Sequence, residues 1–430
     1  MKKVLIITYY WPPAGGVPVQ RWVKMVRYLR HFGWEPVIYT VENGEHAVLD
    51  HSLEATLPAN LQVIRRPIWE PYDWYRNLLG LKKGEKINAA FLQENKNPGI
   101  LQELAIWVRG NFFIPDARKF WIRPSVRFLT EHLRRHPVDA IISTGPPHSM
   151  HLIAMGVKRA LHIPWIADFR DPWTKIDYYT ELHLSKWADK KHHALEQKVA
   201  LAANTVVTVS PDWAANFNRL NNGNTVVITN GFDEEDFPDI PVVPDMKFSI
   251  HHVGMINKAR NPAVLWQALS ELCAEISGFK NHLLISFTGK NDHSVQEMLS
   301  TYALTENSAY YGQVDHPVAI RHMRSAAVLL LLVNDAQDIK GRIPAKLFEY
   351  LAACRPVIGI GDPEGDAAHI LQATQAGIMI GLSDKQGLKN IVSQYYTAWK
   401  ENRLVVSPQN IQQYSRRRLA GAYAQLLDAL

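Results

Sequence analysis

Two charged side chains in the C-terminal half of the chain have the types and the spacing of an anion-binding site. They are Lys346 and Glu349 in the segment GRIPAKLFEYLAACRPVI, where Pro344 is favourable in the first turn of a helix. Residues three apart share one helical face, so an ammonium that binds phosphate oxygens would lie beside a carboxylate that accepts hydrogen bonds from ribose hydroxyls. An exposed Lys–Glu pair is the commoner alternative, but it explains less well why the pair follows a strand and begins a helix.

A second group of cations follows an earlier strand of the same half. The loop HHVGMINKARNP contains Gly254, Lys258 and Arg260 and leads into a helix that is predicted to start near Pro262. Two cations beside the beginning of a helix suit a diphosphate. A solvated basic turn is the alternative.

The N-terminal half places further candidate residues directly after predicted strands. Gly16 belongs to a Gly-Gly pair, which lets backbone amides approach an anion or a sugar or simply forms a flexible turn. His148 lies just beyond a strand on a loop with two prolines, where a general base or a hydroxyl-orienting group is held, although a lone histidine is more often a packing residue. Asp168 and Asp171 flank Arg170 at the next strand end, which indicates either functional carboxylates or a local ion pair.

Several catalytic classes are disfavoured by motifs that the chain lacks. It contains no HExxH, no Walker lysine loop, no GxSxG and no Asp-x-Asp. The loop after the first strand has prolines in place of GxGxxG, which disfavours a nicotinamide site. His148 and His151 are spaced for a shared metal on a helix, but no third ligand is evident. A mechanism without a metal or a cofactor is therefore expected.

Two sheets are needed to position these residues. Short runs rich in Val and Ile alternate with helical patterns, and several runs are apolar throughout, as expected of strands covered on both faces by helices. The predicted strands of the first half are Lys3–Tyr9, Pro36–Val41, Leu61–Arg65, Ala140–Thr144, Trp165–Asp168, Thr205–Ser210 and Thr225–Thr229. Those of the second half are Ser249–Val253, His282–Thr288, Ala309–Tyr311, Val328–Val333, Val357–Ile360 and Ile378–Ile380. The sequence thus predicts an α/β protein with two doubly wound parallel sheets.

The acidic, proline-rich stretch FDEEDFPDIPVVPD marks the boundary between two predicted domains. We expect an N-terminal domain over residues 1–232, with a basic, aromatic, helical insertion at 66–136. A linker at 233–246 and a C-terminal domain at 247–405 follow. Residues 406–430 are expected to form a helix that packs back on the N-terminal domain. Because ligands of such sheets bind beyond the carboxyl ends of the strands, two facing sheets would line a cleft with their strand-to-helix loops.

Composition bounds the class of protein further. The chain has 430 residues, 47% of them hydrophobic and 20% charged, which is typical of folded globular domains. Its two cysteines, Cys273 and Cys354, exclude a disulfide framework and fit a reducing cytoplasm. The longest apolar run, residues 326–333, is far shorter than the ~20 residues of a membrane span, and the N-terminus is typical of a first strand rather than of a signal peptide.

The net charge of +6 is concentrated in one part of the chain. Residues 61–136 contain 14 Lys or Arg and 7 Asp or Glu, together with several Trp, Tyr and Phe residues. A basic, aromatic-rich surface suits an anionic membrane. A helical insertion with its Trp residues in the core is the alternative, and nucleic-acid binding is disfavoured because no recognised module is present.

Together these motifs resemble those of the two-domain GT-B glycosyltransferases, in particular the retaining group 1 (family 4) enzymes. The resemblance covers nearly the whole chain. It is carried by YYWPPAGGVPVQRWVKMVRYLRHFGWEPVIYT, TVVTVSPDWAANF, VVITNGFDEEDF and IPAKLFEYLAACRPVI. It implies two Rossmann-like domains that face each other across a cleft, with the donor bound mostly by the C-terminal domain and the acceptor mostly by the N-terminal one.

The resemblance also implies roles for individual residues. Glu349 resembles the second Glu of the family's E-x7-E pattern, which holds the donor ribose. The first Glu is replaced by Gly341, and Asp338 is the nearest acidic substitute. Arg260 resembles the basic residue that neutralises the donor diphosphate. The resemblance also places Gly16 near the donor phosphates and His148 on the acceptor side.

The expected function is sugar transfer from a nucleotide-diphosphate-sugar donor to a glycan or lipid-linked acceptor, in the synthesis of cell-surface polysaccharide or other glycoconjugates. The resemblance implies an enzyme of the cytoplasm or of the inner face of the cytoplasmic membrane, with no cofactor, no metal and no nucleic-acid partner. A sugar-nucleotide epimerase of the same fold and a catalytically silent protein, prompted by Gly341, are the alternatives.

Overall fold

The computed structural model describes residues 1–46, 48–71, 100–335 and 339–430. Within these residues the chain forms two compact units. The first comprises Met1–Thr229 and Arg416–Leu430, and the second comprises Asn230–Ser415. The stretch expected as a linker, residues 233–246, therefore belongs to the second unit, and so do residues 406–415.

A seven-stranded parallel sheet forms the centre of the first unit. In chain order its strands are β1 (Lys2–Ile7), β2 (Trp34–Val41), β3 (Gln62–Arg66), β4 (Ala140–Gly145), β5 (Trp165–Phe169), β6 (Thr205–Thr208) and β7 (Thr225–Val227). Their spatial order is β3-β2-β1-β4-β5-β6-β7, so the strand order reverses between β1 and β4. The central strand β1 is buried from Val4 to Ile7, as expected where helices cover both faces of a parallel sheet.

Helices pack on both faces of this sheet. They are α1 (Val17–Leu29), α2 (Ile100–Phe112), α3 (Lys119–Arg135), α4 (Ser149–Leu161), α5 (Lys186–Ala202) and α6 (Pro211–Leu220). The first helix continues into a 3-10 turn over Arg30–Phe32. Gly33 follows in the left-handed conformation, with φ of 84°, and caps the helix.

The second unit is built around a six-stranded parallel sheet with the order β10-β9-β8-β11-β12-β13. Its strands are β8 (Phe248–Val253), β9 (Leu283–Thr288), β10 (Ser308–Gly312), β11 (Val328–Leu332), β12 (Val357–Gly361) and β13 (Gly377–Gly381). Its helices are α7 (Ala263–Glu275), α8 (Phe279–His282), α9 (His293–Thr301), α10 (His316–Ser325), α11 (Lys346–Ala352), α12 (Asp366–Thr374) and α13 (Lys385–Lys400). The predicted fold class, an α/β chain with two doubly wound sheets, is confirmed.

The last helix, α14 (Arg416–Asp428), belongs to the first unit, although it follows the second in sequence. It packs on α1, where Leu419 and Tyr423 share a core cluster with Trp22. Burial of this apolar surface holds the end of the chain on the first unit.

The strand order of the second sheet reverses between β8 and β11, and the two strands separate there. Only Val328 with Ile250 and Leu329 with His251 are paired between them, whereas β8 and β9 pair along the whole length of β8. Ligands of doubly wound sheets bind at such a reversal point, outside the carboxyl ends of the strands.

Two glycines bring the loops after β8 and β9 into close contact at this edge. Gly254 and Gly289 have φ of 116° and 118°, a region that residues with a Cβ rarely adopt. A Cβ added to Gly289 would lie 2.6 Å from the carbonyl oxygen of Gly254. Position 289 therefore requires glycine both for its backbone conformation and for the space available.

We predict that Gly289→Ala destabilises the second unit more than the matched substitution Gly312→Ala at the end of β10. Gly312 also has a positive φ, of 66°, but a Cβ there would have no neighbour within 4 Å. The difference in the free energy of unfolding should be roughly 2 kcal/mol, because backbone strain and a steric clash add at position 289. Urea denaturation of the two variants measures it, and equal midpoints would contradict the assignment.

Candidate functional site

The loop after β8 brings a glycine backbone and a lysine amine together at the reversal point of the second sheet. Gly254 follows the strand directly, and its N–H donates to the carbonyl of Thr288 at 2.7 Å. A Cβ at position 254 would lie 2.6 Å from Nζ of Lys346, the first residue of α11. The sequence predicted the two residues in separate candidate segments, each suited to phosphate, and the structure places them side by side.

The Lys346 amine donates to a histidine that sequence reasoning did not select. Its Nζ lies 3.1 Å from Nε2 of His252, the residue before the last in β8. Nδ1 of the same ring lies 2.9 Å from the main-chain carbonyl of Leu330 in β11, and that contact requires a hydrogen on Nδ1. With Nδ1 protonated, Nε2 of the neutral ring is an acceptor and suits the lysine ammonium.

The surroundings of Lys346 favour the loss of its proton in the absence of an anion. Burial, followed by the neighbouring Arg260, lowers the pKa of the amine to about 7, and Glu349 opposes the shift. Among the described residues, no carboxylate lies within ion-pair distance of Nζ. An anion bound beside Nζ would therefore favour the charged form of the amine and pair with it.

Arg260, the second predicted cation, is held in a defined position by the same loop. Its main-chain N–H donates to the side chain of Asn257 at 3.0 Å within a 3-10 turn, Lys258–Arg260. Its guanidinium Nε donates to the side chain of Asn334, just after β11. Lys258 of the same turn is exposed. The structure thus brings Arg260 close to Lys346 and leaves Lys258 in solvent.

Glu349 lies one turn after Lys346 on α11 and is mostly buried, with 23% of its side chain exposed. Its carboxylate lies 3.0 Å from Nε2 of His316, the first residue of α10. Two of the residues that the resemblance assigned to donor binding, Glu349 and Arg260, therefore lie near Lys346. Asp338, proposed as a substitute for the missing first Glu, lies outside the described residues.

Asp168 requires a correction, because the structure places it in the interior of the first unit. The residue is fully buried, and its carboxylate accepts hydrogen bonds from Trp22 at 3.1 Å and from the Tyr423 hydroxyl at 2.8 Å. It also pairs with the buried guanidinium of Arg21 at 3.5 Å. With its oxygens engaged by α1 and α14, Asp168 compensates a buried charge and does not face a substrate.

His148 lies at the corner between β4 and α4, as predicted, but its ring is buried. Only 6% of the residue is exposed, and the imidazole stacks on Trp173 with 4.6 Å between ring centroids. Burial, followed by the neighbouring His151, holds the pKa of His148 well below its usual range. The ring is therefore neutral, and its Nδ1 has no hydrogen-bond partner in the described parts of the chain.

The remaining predicted residues lie at the expected strand ends of the first unit. Asp171 is half-buried beside Arg170. Burial lowers the pKa of the Arg170 guanidinium, and the Asp171 carboxylate opposes this shift. His151 binds Ser143 through Nδ1 at 2.8 Å, so this ring has a packing role. Gly16 is exposed, with φ of 95°, and its carbonyl accepts from the main chain of the first turn of α1.

Where the structure describes the chain, no three His, Cys, Asp or Glu side chains form a metal-binding group.

The aromatic residues of the basic insertion fall into two classes. Trp121 is buried and stacks on Tyr39, so the core alternative applies to it. Trp69 and Phe120, by contrast, are 63% and 41% exposed and contact each other edge to face. Lys119 lies over the Phe120 ring, 5.0 Å from its centroid. Residues 72–99 of the insertion lie outside the described residues, and none of the described helices is long and apolar enough to cross a membrane.

The comparison with known families identifies the class of protein. The glycosyl transferase 4-like domain matches residues 15–231, half of the chain. The chain therefore belongs to this family of glycosyltransferases, and the resemblance drawn from its motifs is confirmed. Among curated proteins, none matches the sequence significantly.

Solved structures with the same fold extend over the whole chain. Sucrose-phosphate synthase from Thermosynechococcus elongatus is 14% identical, with a TM-score of 0.63 and 100% of both chains covered. Anabaena HepE, solved in complex with UDP-glucose, is 13% identical, with a TM-score of 0.61 and the same coverage. A Listeria monocytogenes protein described as a UDP-N-acetylglucosamine 2-epimerase is 11% identical, with a TM-score of 0.56, and the match covers 99% of this chain and 96% of that one. These likenesses establish the GT-B fold.

We predict that Asp168→Ala strongly destabilises the first unit, because it leaves the Arg21 guanidinium buried without a counter-ion. The expected loss is about 3–5 kcal/mol in the free energy of unfolding. The control is Glu131→Ala, which breaks an exposed ion pair with Arg135 on α3 and should cost no more than about 1 kcal/mol. Urea denaturation measures the free energy of unfolding of both variants. An equally small loss in both would contradict the structural role of Asp168.

Proposed function

We propose that the chain transfers a sugar from a nucleotide-diphosphate-sugar donor to a glycan acceptor, including lipid-linked glycans, in the synthesis of cell-surface polysaccharide or related glycoconjugates. One observation carries the proposal: the Lys346 amine, Arg260 and the backbone of Gly254 converge at the reversal point of the second sheet. Such a group of cations and close backbone suits a diphosphate. Glu349, on the same helix as Lys346, suits the ribose hydroxyls.

The chemistry requires stabilisation of a leaving diphosphate. The bond from the anomeric carbon to the diphosphate oxygen breaks, and its electron pair stays on that oxygen. The acceptor hydroxyl oxygen bonds to the anomeric carbon, and its proton passes to the departing phosphate on the same face, so that the anomeric configuration is retained. Lys346 and Arg260 stabilise the negative charge that grows on the phosphate, and for this reason we propose a metal-independent reaction.

For the acceptor side we propose His148 and Asp171 of the first unit. His148 is a neutral imidazole with an unpartnered Nδ1, which suits it to orient an acceptor hydroxyl. Asp171 lies on the loop after β5 and provides a carboxylate at the next strand end. Asp168 is excluded from this set by its buried ion pair.

A sugar-nucleotide epimerase is the second candidate, because a protein described as one has the same fold. An epimerase acts on a single substrate and needs no acceptor. Measurement of nucleotide release separates the two: a transferase releases nucleoside diphosphate at a rate that rises with added acceptor, whereas an epimerase does not. If the chain were the catalytically silent protein considered above, it would bind no nucleotide sugar.

We predict that Glu349→Gln weakens binding of the nucleotide sugar by roughly tenfold or more, because an amide is a poorer acceptor than a carboxylate for ribose hydroxyls. The donor is first chosen by thermal shift from UDP-glucose, UDP-N-acetylglucosamine, GDP-mannose, ADP-glucose and dTDP-glucose, since a ligand stabilises the fold that binds it. Glu364→Gln is the control, because that side chain is 83% exposed. Equal affinity in both variants would contradict the role of Glu349.

We also propose that the exposed aromatic face around Trp69, Phe120 and Lys119 contacts an anionic membrane surface and gives access to a lipid-linked acceptor. Trp69 and Phe120 are exposed, and Lys119 lies beside them. Membrane sites at the lipid–water interface have this composition, because the rings enter the headgroup region and the cation binds anionic lipid.

The membrane proposal predicts flotation of the protein with phosphatidylglycerol-containing vesicles, and much weaker flotation with phosphatidylcholine vesicles or at high salt. The double variant Trp69→Ala, Phe120→Ala should lose most of this binding. Ile240→Ala, which removes an exposed apolar side chain from the second unit, should leave it unchanged. Failure of the wild type to float with anionic vesicles would reject the membrane contact without bearing on sugar transfer.

A further inference from the structure

His252 lies in the gap where β8 and β11 separate, and both of its ring nitrogens are engaged there. The pairing between the strands ends at Leu329 and His251, one residue before the carbonyl of Leu330. That carbonyl accepts from Nδ1 of His252 at 2.9 Å and from the Tyr350 hydroxyl at 3.3 Å. Side chains therefore replace the missing main-chain partners and fix the orientation of the imidazole.

The fixed ring determines where the lysine amine lies. Because the Leu330 carbonyl only accepts, His252 is protonated at Nδ1 and presents a lone pair at Nε2, 3.1 Å from Nζ of Lys346. On its other side Nζ lies against the Gly254 backbone, where a Cβ would come within 2.6 Å. The amine is thus held between an imidazole acceptor and the glycine loop.

We propose, on the basis of the nucleotide-sugar site described above, that His252 is a positioning residue for donor binding, which holds the Lys346 ammonium beside Gly254 so that it meets the donor diphosphate. A neutral imidazole suits this role better than a carboxylate would. It accepts a hydrogen bond from the ammonium, but it does not neutralise the positive charge that the diphosphate requires.

The other charged groups around Lys346 set the direction of the pH dependence. Arg260 from the loop after β8 disfavours the ammonium, and Glu349 on α11, itself paired with His316, favours it. The acceptor at Nε2 of His252 also favours the charged form. Since the diphosphate binds the ammonium, donor affinity should be highest below the free-site pKa of about 7 and should fall as pH rises through it.

Two substitutions separate the two hydrogen bonds of the ring. His252→Asn keeps a donor near the position of Nδ1 and removes the acceptor for Lys346, whereas His252→Gln keeps an acceptor near the position of Nε2. His282→Asn is the control, because His282 lies at the amino end of the neighbouring strand β9, away from the carboxyl ends of the strands, and binds Tyr396. The dissociation constant of the best nucleotide sugar from the panel is measured from pH 6 to 9 for each variant.

We expect His252→Asn to weaken donor binding by roughly tenfold, the usual effect of losing a hydrogen bond to a charged group, and to move the alkaline fall in affinity to lower pH. His252→Gln should restore most of the affinity, and His282→Asn should match the wild type. In a Lys346→Met background, His252→Asn should have no further effect, which a merely structural role of His252 would not produce.

Equal affinity and equal pH profiles for His252→Asn, His252→Gln and the wild type would overturn the role of His252 alone. An undiminished effect of His252→Asn in the Lys346→Met background would do the same. Absence of binding by the wild type to every nucleotide sugar in the panel would instead reject the proposed function, and the inference with it.

Discussion

The partly buried ammonium of Lys346, which has no carboxylate within ion-pair distance in the described chain, is the interaction on which the proposed site depends. A cation removed from water is costly unless it is paired, and here burial and Arg260 lower the pKa to about 7. The protein provides a hydrogen-bond acceptor, His252, and a glycine backbone that lets the amine approach. The partner that we propose is an anion, because the amine lies at the reversal point of the sheet, where ligands of doubly wound sheets bind.

In the first unit, by contrast, a buried cation is paired with a carboxylate of the protein. Arg21 is fully buried, but Asp168 supplies a counter-charge, and Tyr423 and two main-chain carbonyls accept hydrogen bonds from the terminal nitrogens of its guanidinium. This cluster joins α1, β5 and α14, and its buried cation is charge-compensated within the protein. Asp168 at the end of β5 therefore stabilises the fold, whereas Lys346 at the start of α11 is the cation that we propose an anionic ligand pairs with.

Much of this architecture is predictable from the sequence, because each strand of a doubly wound sheet corresponds to a short apolar run. The helix α11 likewise corresponds to a local helical pattern. The Lys346 and Glu349 spacing is likewise local and was correctly placed at a strand-to-helix junction. His252 and Lys346, however, are 94 residues apart, and Asp168 and Tyr423 are 255 apart. Such pairs depend on tertiary packing, so the sequence alone misplaced Asp168 and overlooked His252. Two adjacent histidines in the buried strand β8 were the available signal for the latter.

The most direct test of this account is proton uptake on donor binding, measured by titration calorimetry in buffers of different ionisation enthalpy. A nucleotide sugar suits the measurement, because its diphosphate is a diester and does not titrate near neutrality. With a free-site pKa of about 7 for Lys346, binding at pH 8 should take up about 0.9 proton, and binding at pH 6 about 0.1. Binding with no proton uptake at pH 8, or uptake that persists in Lys346→Met, would contradict the central claim.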